Sequence, residues 1–92
     1  MSDIQVLQMP GFKKAYKKLH EKMKSVVDEV VEQIKVNPDL GDPKKGDLLN
    51  VFVYKSKIDT QHFLLAYEYD PKTRILLLLG THENFFRDLK RS

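Results

Sequence analysis

Three groups of side chains in this sequence are of kinds that act on phosphates and bases. His82 follows Gly80, which closes an aliphatic run, and precedes the aromatic pair Phe85-Phe86. Imidazole has an ordinary pKa of about 6.5, so at the end of a strand it can give or take a proton while open to a ligand. Lys55 and Lys57 are alternate residues at the end of an alternating stretch, and on a strand they project from one face. Paired ammonium groups there hold a phosphate or offset the charge that builds on phosphorus during strand cleavage. His62 opens the next stretch, across a turn from Lys57. Lys55, Lys57, His62 and His82 are therefore the candidates for a catalytic cluster. One of Phe85 and Phe86, together with Arg87, Lys90 and Arg91, is the candidate surface for substrate binding, because an aromatic face stacks on an unpaired base for about 1–3 kcal/mol and nearby cations track the backbone.

Each feature also has an ordinary reading. A histidine after a strand is commonly a polar surface residue, two lysines at a strand end are commonly solvated, and Phe85 or Phe86 can be core. Neighbouring residues on a helix point about 100° apart, so at most one of the two phenylalanines faces a core fully. Arg87, Lys90 and Arg91 also suit the C-terminal end of a helix, where cations complement the macrodipole. Lys13, Lys14, Lys17, Lys18, Lys22 and Lys24 crowd an earlier segment and are followed by Asp28, Glu29 and Glu32. That basic cluster is either a solvated helix face or a surface for RNA.

The elements that must position these groups are legible from periodicity. Ile4, Val6 and Leu7 form a short apolar opening that ends at Met9-Pro10-Gly11, which reads as a first strand. Phe12, Tyr16, Leu19 and Met23 then recur at helical spacing, and Val26, Val27, Val30, Val31 and Ile34 continue it up to Asn37-Pro38. A single helix of about 25 residues would reach roughly 37 Å, so a hairpin broken between His20 and Ser25 is expected. Residues 37–47 carry two prolines and two glycines and read as a loop. The period next falls to two. Leu49, Val51 and Val53 alternate with Asn50, Phe52 and Tyr54, and Phe63, Leu65, Tyr67 and Tyr69 alternate with Leu64, Ala66 and Glu68. Two strands joined by a turn at Lys57 to Gln61 follow. Asp70-Pro71-Lys72-Thr73 is a tight turn into Arg74–Leu79, whose unbroken aliphatic character predicts a central strand covered on both faces. Thr81 is placed as an N-cap for a short terminal helix.

The expected fold class is α+β: an N-terminal strand, a helical hairpin packed on an antiparallel sheet of about four strands, and a short C-terminal helix. Ninety-two residues make one domain, 1–92, since a second core would fall below the size at which burial offsets chain entropy. With 41% apolar and 32% charged residues the chain is suited to a globule, and its longest aliphatic run is far short of a membrane span. The N-terminus lacks the pattern of a secretory signal, so the expected location is the cytoplasm. The absence of cysteine excludes thiol nucleophiles and cysteine-zinc sites, and no metal-ligand spacing occurs, so no cofactor is expected. A net charge of +3 suits a polyanionic or acidic partner.

The order of elements, together with Phe12-Lys-Lys-Ala-Tyr-Lys-Lys-Leu19, the Leu49 to Tyr69 strand pair and Gly80-Thr-His-Glu-Asn-Phe-Phe86, resembles the RelE/ParE superfamily of type II toxins over nearly the whole chain. The last motif resembles the ending of YafQ-like messenger RNA endonucleases. That resemblance implies a catalytic role for His82 with Phe86 beside it, and Lys55 and Lys57 at positions that stabilise attack by a ribose 2′-hydroxyl. Two departures stand out. His62 occupies the region where an arginine is expected, and the tail tyrosine of the RelE-like branch is replaced near Asp88, leaving Phe86 or Tyr54 as steric stand-ins. The implied function is a toxin that cleaves messenger RNA on the ribosome without a metal and is held by a cognate antitoxin protein. The same superfamily includes poisons of DNA gyrase, which is the alternative function, as is a toxin-like module that only binds protein. Fold alone does not choose among these.

Overall fold

The computed structural model describes residues 4–43, 50–58 and 61–80. Its first strand, β1 (Gln5–Gln8), runs directly into helix α1 (Pro10–Lys17), with Pro10 in the first turn, where its missing N–H costs nothing. The apolar face of α1 buries Phe12 and leaves Lys13, Lys14 and Lys17 in solvent. Helix α2 (Glu21–Val36) buries Val27, Val30 and Ile34 at helical spacing. The two helices form the expected hairpin, but the break lies at Lys18-Leu19-His20, earlier than the His20–Ser25 window. Lys18 and Leu19 donate to Ala15 and Tyr16, three residues back, and His20 is extended, so the helix tightens and then reverses. Met23 consequently belongs to α2. No glycine or proline marks this break, which is why periodicity alone misplaced it. The phenol of Tyr16 donates to Asp28 at 2.7 Å and ties α1 to α2.

Beyond α2, the stretch expected to be loop contains a 3₁₀ turn at Pro38–Leu40 and a two-residue strand, β2 (Asp42–Pro43). Strands β3 (Phe52–Ile58), β4 (Gln61–Tyr69) and β5 (Thr73–Gly80) form the meander. The sheet therefore has five strands in the order β1-β5-β4-β3-β2, all antiparallel except the parallel β1–β5 pair. The expected C-terminal helix falls in 81–92, outside the described residues.

Both faces of the sheet carry core. Phe63, Leu65, Tyr67, Leu76 and Leu79 meet Phe12, Val27, Val30 and Ile34 beneath the helices. On the opposite face Val51, Val53, Leu64 and Ala66 form a second buried cluster with Leu77 and Leu78 packed against it. The register jumps from Ala66↔Leu78 to Tyr67↔Leu76, so Leu77 is an extra residue in β5. This bulge lets two consecutive leucines serve the side opposite α1 and α2. It also accounts for the unbroken aliphatic run of an interior strand.

Polar groups on the helix side are tied into the fold. Arg74, 5% exposed, donates to the carbonyls of Ile34 and Lys35 at the end of α2 and to those of Asp70 and Thr73, with its guanidinium 5.5 Å from the Tyr69 ring centroid. A cation is favourable at a helix C-terminus, where the carbonyls are unpaired. The Tyr67 hydroxyl donates to Pro38 O at 2.7 Å and accepts from Gly41 N at 2.8 Å. A Cβ on Gly41 would lie 2.9 Å from that hydroxyl, which explains glycine there. Tyr69 donates to Asp39 at 2.6 Å. Two tyrosines of β4 thus pin the 3₁₀ turn to the sheet.

Candidate functional site

The alternation of β3 decides which residues share a face. Val51 and Val53 are buried on the side opposite α1 and α2, and Lys55 and Lys57 continue that parity into solvent. Lys57 pairs with His62, and Lys55 with Leu64, across the β3–β4 ladder. Directly opposed residues have Cβ atoms about 4.5–5.5 Å apart, so the Lys57 and His62 side chains are neighbours, and both are exposed. Leu64 in turn pairs with Gly80, the last described residue of β5. The site is therefore a cationic rim at one end of the face opposite α1 and α2, floored by Leu64, Ala66 and Leu78.

Of the expected cluster, the fold brings together Lys55, Lys57 and His62. His82, Phe86, Arg87 and Lys90 lie outside the described residues, as do Phe85 and Arg91. Tyr54 is corrected: it packs against the helix-side core, opposite in parity to Lys55 and Lys57, and cannot stand beside them as a steric substitute. The lysines of α1 belong to the helix layer, so their basic surface is separate from the rim on the far side of the sheet. On α2, Lys24 holds its ammonium 5.6 Å from the Tyr16 ring centroid.

His62 stands at the end of its strand and also borders a cleft of about 200 Å³ beneath the hairpin, lined by Ala15, Lys18, Leu19, Met23 and Phe63 among others. Sequence reading did not single out this cleft or the buried aliphatic floor. The floor had a signal in the parity of Val51, Val53, Leu64 and Ala66. The cleft had none, since it depends on where the helices lie.

Comparison with known proteins agrees with this architecture. The sequence model of the ParE-like toxins of type II bacterial toxin-antitoxin systems matches residues 6–90. No curated protein sequence matches. Among solved structures, the chain is similar to one in the intact Escherichia coli RelBE toxin-antitoxin complex, with 16% identity, 87% of this chain and 98% of that chain covered, and a TM-score of 0.70. Similarity to the Mycobacterium tuberculosis RelBE2 complex is 19% in identity over 87% and 99% of the two chains, with a TM-score of 0.70. For the YoeB/ParE toxin from Agrobacterium tumefaciens the values are 14%, 86% and 99%, and 0.63. These likenesses are likenesses of fold. The family match spans nearly the whole chain, and the chain belongs to the ParE-like toxins within the RelE/ParE-like superfamily of type II toxin-antitoxin systems.

Proposed function

We propose that this chain is the toxin of a type II pair and arrests growth as a ParE-like inhibitor of DNA gyrase, using the cationic rim on the face opposite α1 and α2 to engage its target. The observation that carries this reading is the family match over residues 6–90, and the make-up of the rim agrees with it. Among the described residues, that rim consists of Lys55, Lys57 and His62. Phosphodiester cleavage by 2′-hydroxyl attack uses a base for the incoming proton and an acid for the leaving oxygen. A surface that inhibits by binding protein needs neither.

The second reading, a metal-independent endoribonuclease acting on messenger RNA at the ribosome, is favoured by the Lys57–His62 pairing. In it His82 and His62 share proton transfer, Lys55 and Lys57 offset the phosphorane charge, and Phe86, Arg87 and Lys90 hold the RNA. The likeness of Gly80-x-His82-x-x-x-Phe86 to YafQ-like enzymes supports this reading, with His82 as the second group. In either case the expected regulator is an antitoxin, as in the RelBE complexes of similar fold, and an acidic one suits a basic rim.

Two assays on the purified chain separate the readings. Loss of gyrase supercoiling with intact messenger RNA is the expected result. Ribosome-stimulated RNA cleavage with untouched gyrase, reduced about 10² to 10⁴-fold by His82→Ala, would replace the first reading with the second.

A further inference from the structure

The two edges of the sheet are guarded differently. One is β2, whose described residues are an aspartate and a proline, the residue types that discourage strand addition. The other is β1, Gln5-Val6-Leu7-Gln8, with no charge, proline or bulge. Leu7 is 49% exposed and Met9, just beyond, 45%.

The backbone of β1 faces β5 at alternate residues. Gln5 N–H donates to Lys72 O and Met9 N–H to Leu76 O, which sets Gln5, Leu7 and Met9 toward β5 and directs the N–H and C=O of Val6 and Gln8 outward. Among the described residues no strand pairs with that outward side. Exposed, unpaired strand groups of this kind are a template for another strand.

We propose that this edge joins a second copy of the chain, β1 against β1, antiparallel about a two-fold axis through Leu7. The pattern is self-complementary. With Leu7 opposite Leu7 of the second copy, Val6 faces Gln8 and Gln8 faces Val6, so both outward N–H groups meet outward carbonyls in hydrogen-bonded pairs. Gln5 meets Met9, no like charges oppose within the strand, and the leucines stand at the close, non-hydrogen-bonded position. The result is one ten-stranded sheet with a β2 strand at each end. The cationic rim at β3 and β4 lies away from the new seam, so both copies keep it open. A contact built on so short a strand is small, and the association is correspondingly weak, with a Kd of roughly micromolar order.

Sedimentation of the free chain across the micromolar range tests this, independently of which target the toxin inhibits. The wild type is expected to pass from monomer to dimer, with amide exchange at Val6 and Gln8 slowing as the dimer forms. Leu7→Lys should remain a monomer with an unchanged melting temperature, and an equimolar mixture of Leu7→Lys with Leu7→Glu should form the heterodimer. A wild type that stays monomeric overturns the proposal, as does a Leu7→Lys variant that dimerises like the wild type. Pairing of the edge by an antitoxin strand alone would appear as a monomeric free chain and overturns it equally.

Discussion

The two faces of strands β3 and β4 are built from interleaved residues of the same segments, yet they treat polar groups in opposite ways. On the helix side Tyr67, Tyr69 and Arg74 bond to Pro38, Gly41, Asp39 and the final carbonyls of α2. On the side opposite α1 and α2 a buried aliphatic floor gives way to Lys55, Lys57 and His62, which are exposed. Polar groups committed to internal bonds hold a fold together, and charges left in solvent at the edge of an apolar floor are available to a partner. The comparison separates stability from action, and each can be disturbed without the other.

The sharpest separation comes from reversing the rim. Lys55→Glu with Lys57→Glu should weaken target engagement by about a hundredfold, or ~3 kcal/mol, as expected for charges at an interface. Growth arrest on induction should be lost, while urea unfolding changes by less than about 0.5 kcal/mol. Equal loss of stability and action would break the division between faces.

Next in size is Arg74→Met, which leaves the carbonyls of Ile34 and Lys35 without their donor in a buried setting. A loss of about 3 kcal/mol in urea unfolding is expected, with the rim's activity per folded molecule retained. Gly41→Ala and Tyr67→Phe attack one contact from its two sides, the first by crowding the hydroxyl and the second by deleting it. Each should cost about 1–2 kcal/mol, and the double variant should cost less than their sum because the closest of the Cβ contacts, that with the hydroxyl, is removed while those with the Tyr67 ring and the Val53 backbone remain.

The smallest effect is a pH dependence. Burial raises the Tyr67 phenol above its ordinary 10.0, and hydrogen bonds to Asp28 and Asp39 do the same for Tyr16 and Tyr69. For a raised folded-state value the stabilisation is complete below the unfolded pKa and disappears as pH climbs through the folded one. The melting temperature should therefore hold from neutrality to about pH 9 and fall above about pH 10. Tyr67→Phe should show a shallower fall, and an equal slope in that variant would remove Tyr67 as a contributor.

What the sequence determined by itself is whatever repeats with a local period. The stripes of α1 and α2, the parity that sets Val51 and Val53 with Lys55 and Lys57, the Asp70–Thr73 turn and the interior character of β5 all follow from side-chain spacing, because periodicity records which face of an element is buried. Tertiary structure alone decided the rest. It paired β1 in parallel with β5, recruited Asp42–Pro43 into the sheet, broke the helices at Lys18–His20 without a glycine or proline and set Arg74 beneath the end of α2. Each of these depends on contacts between residues distant in the chain, and no local pattern encodes the partner across such a gap.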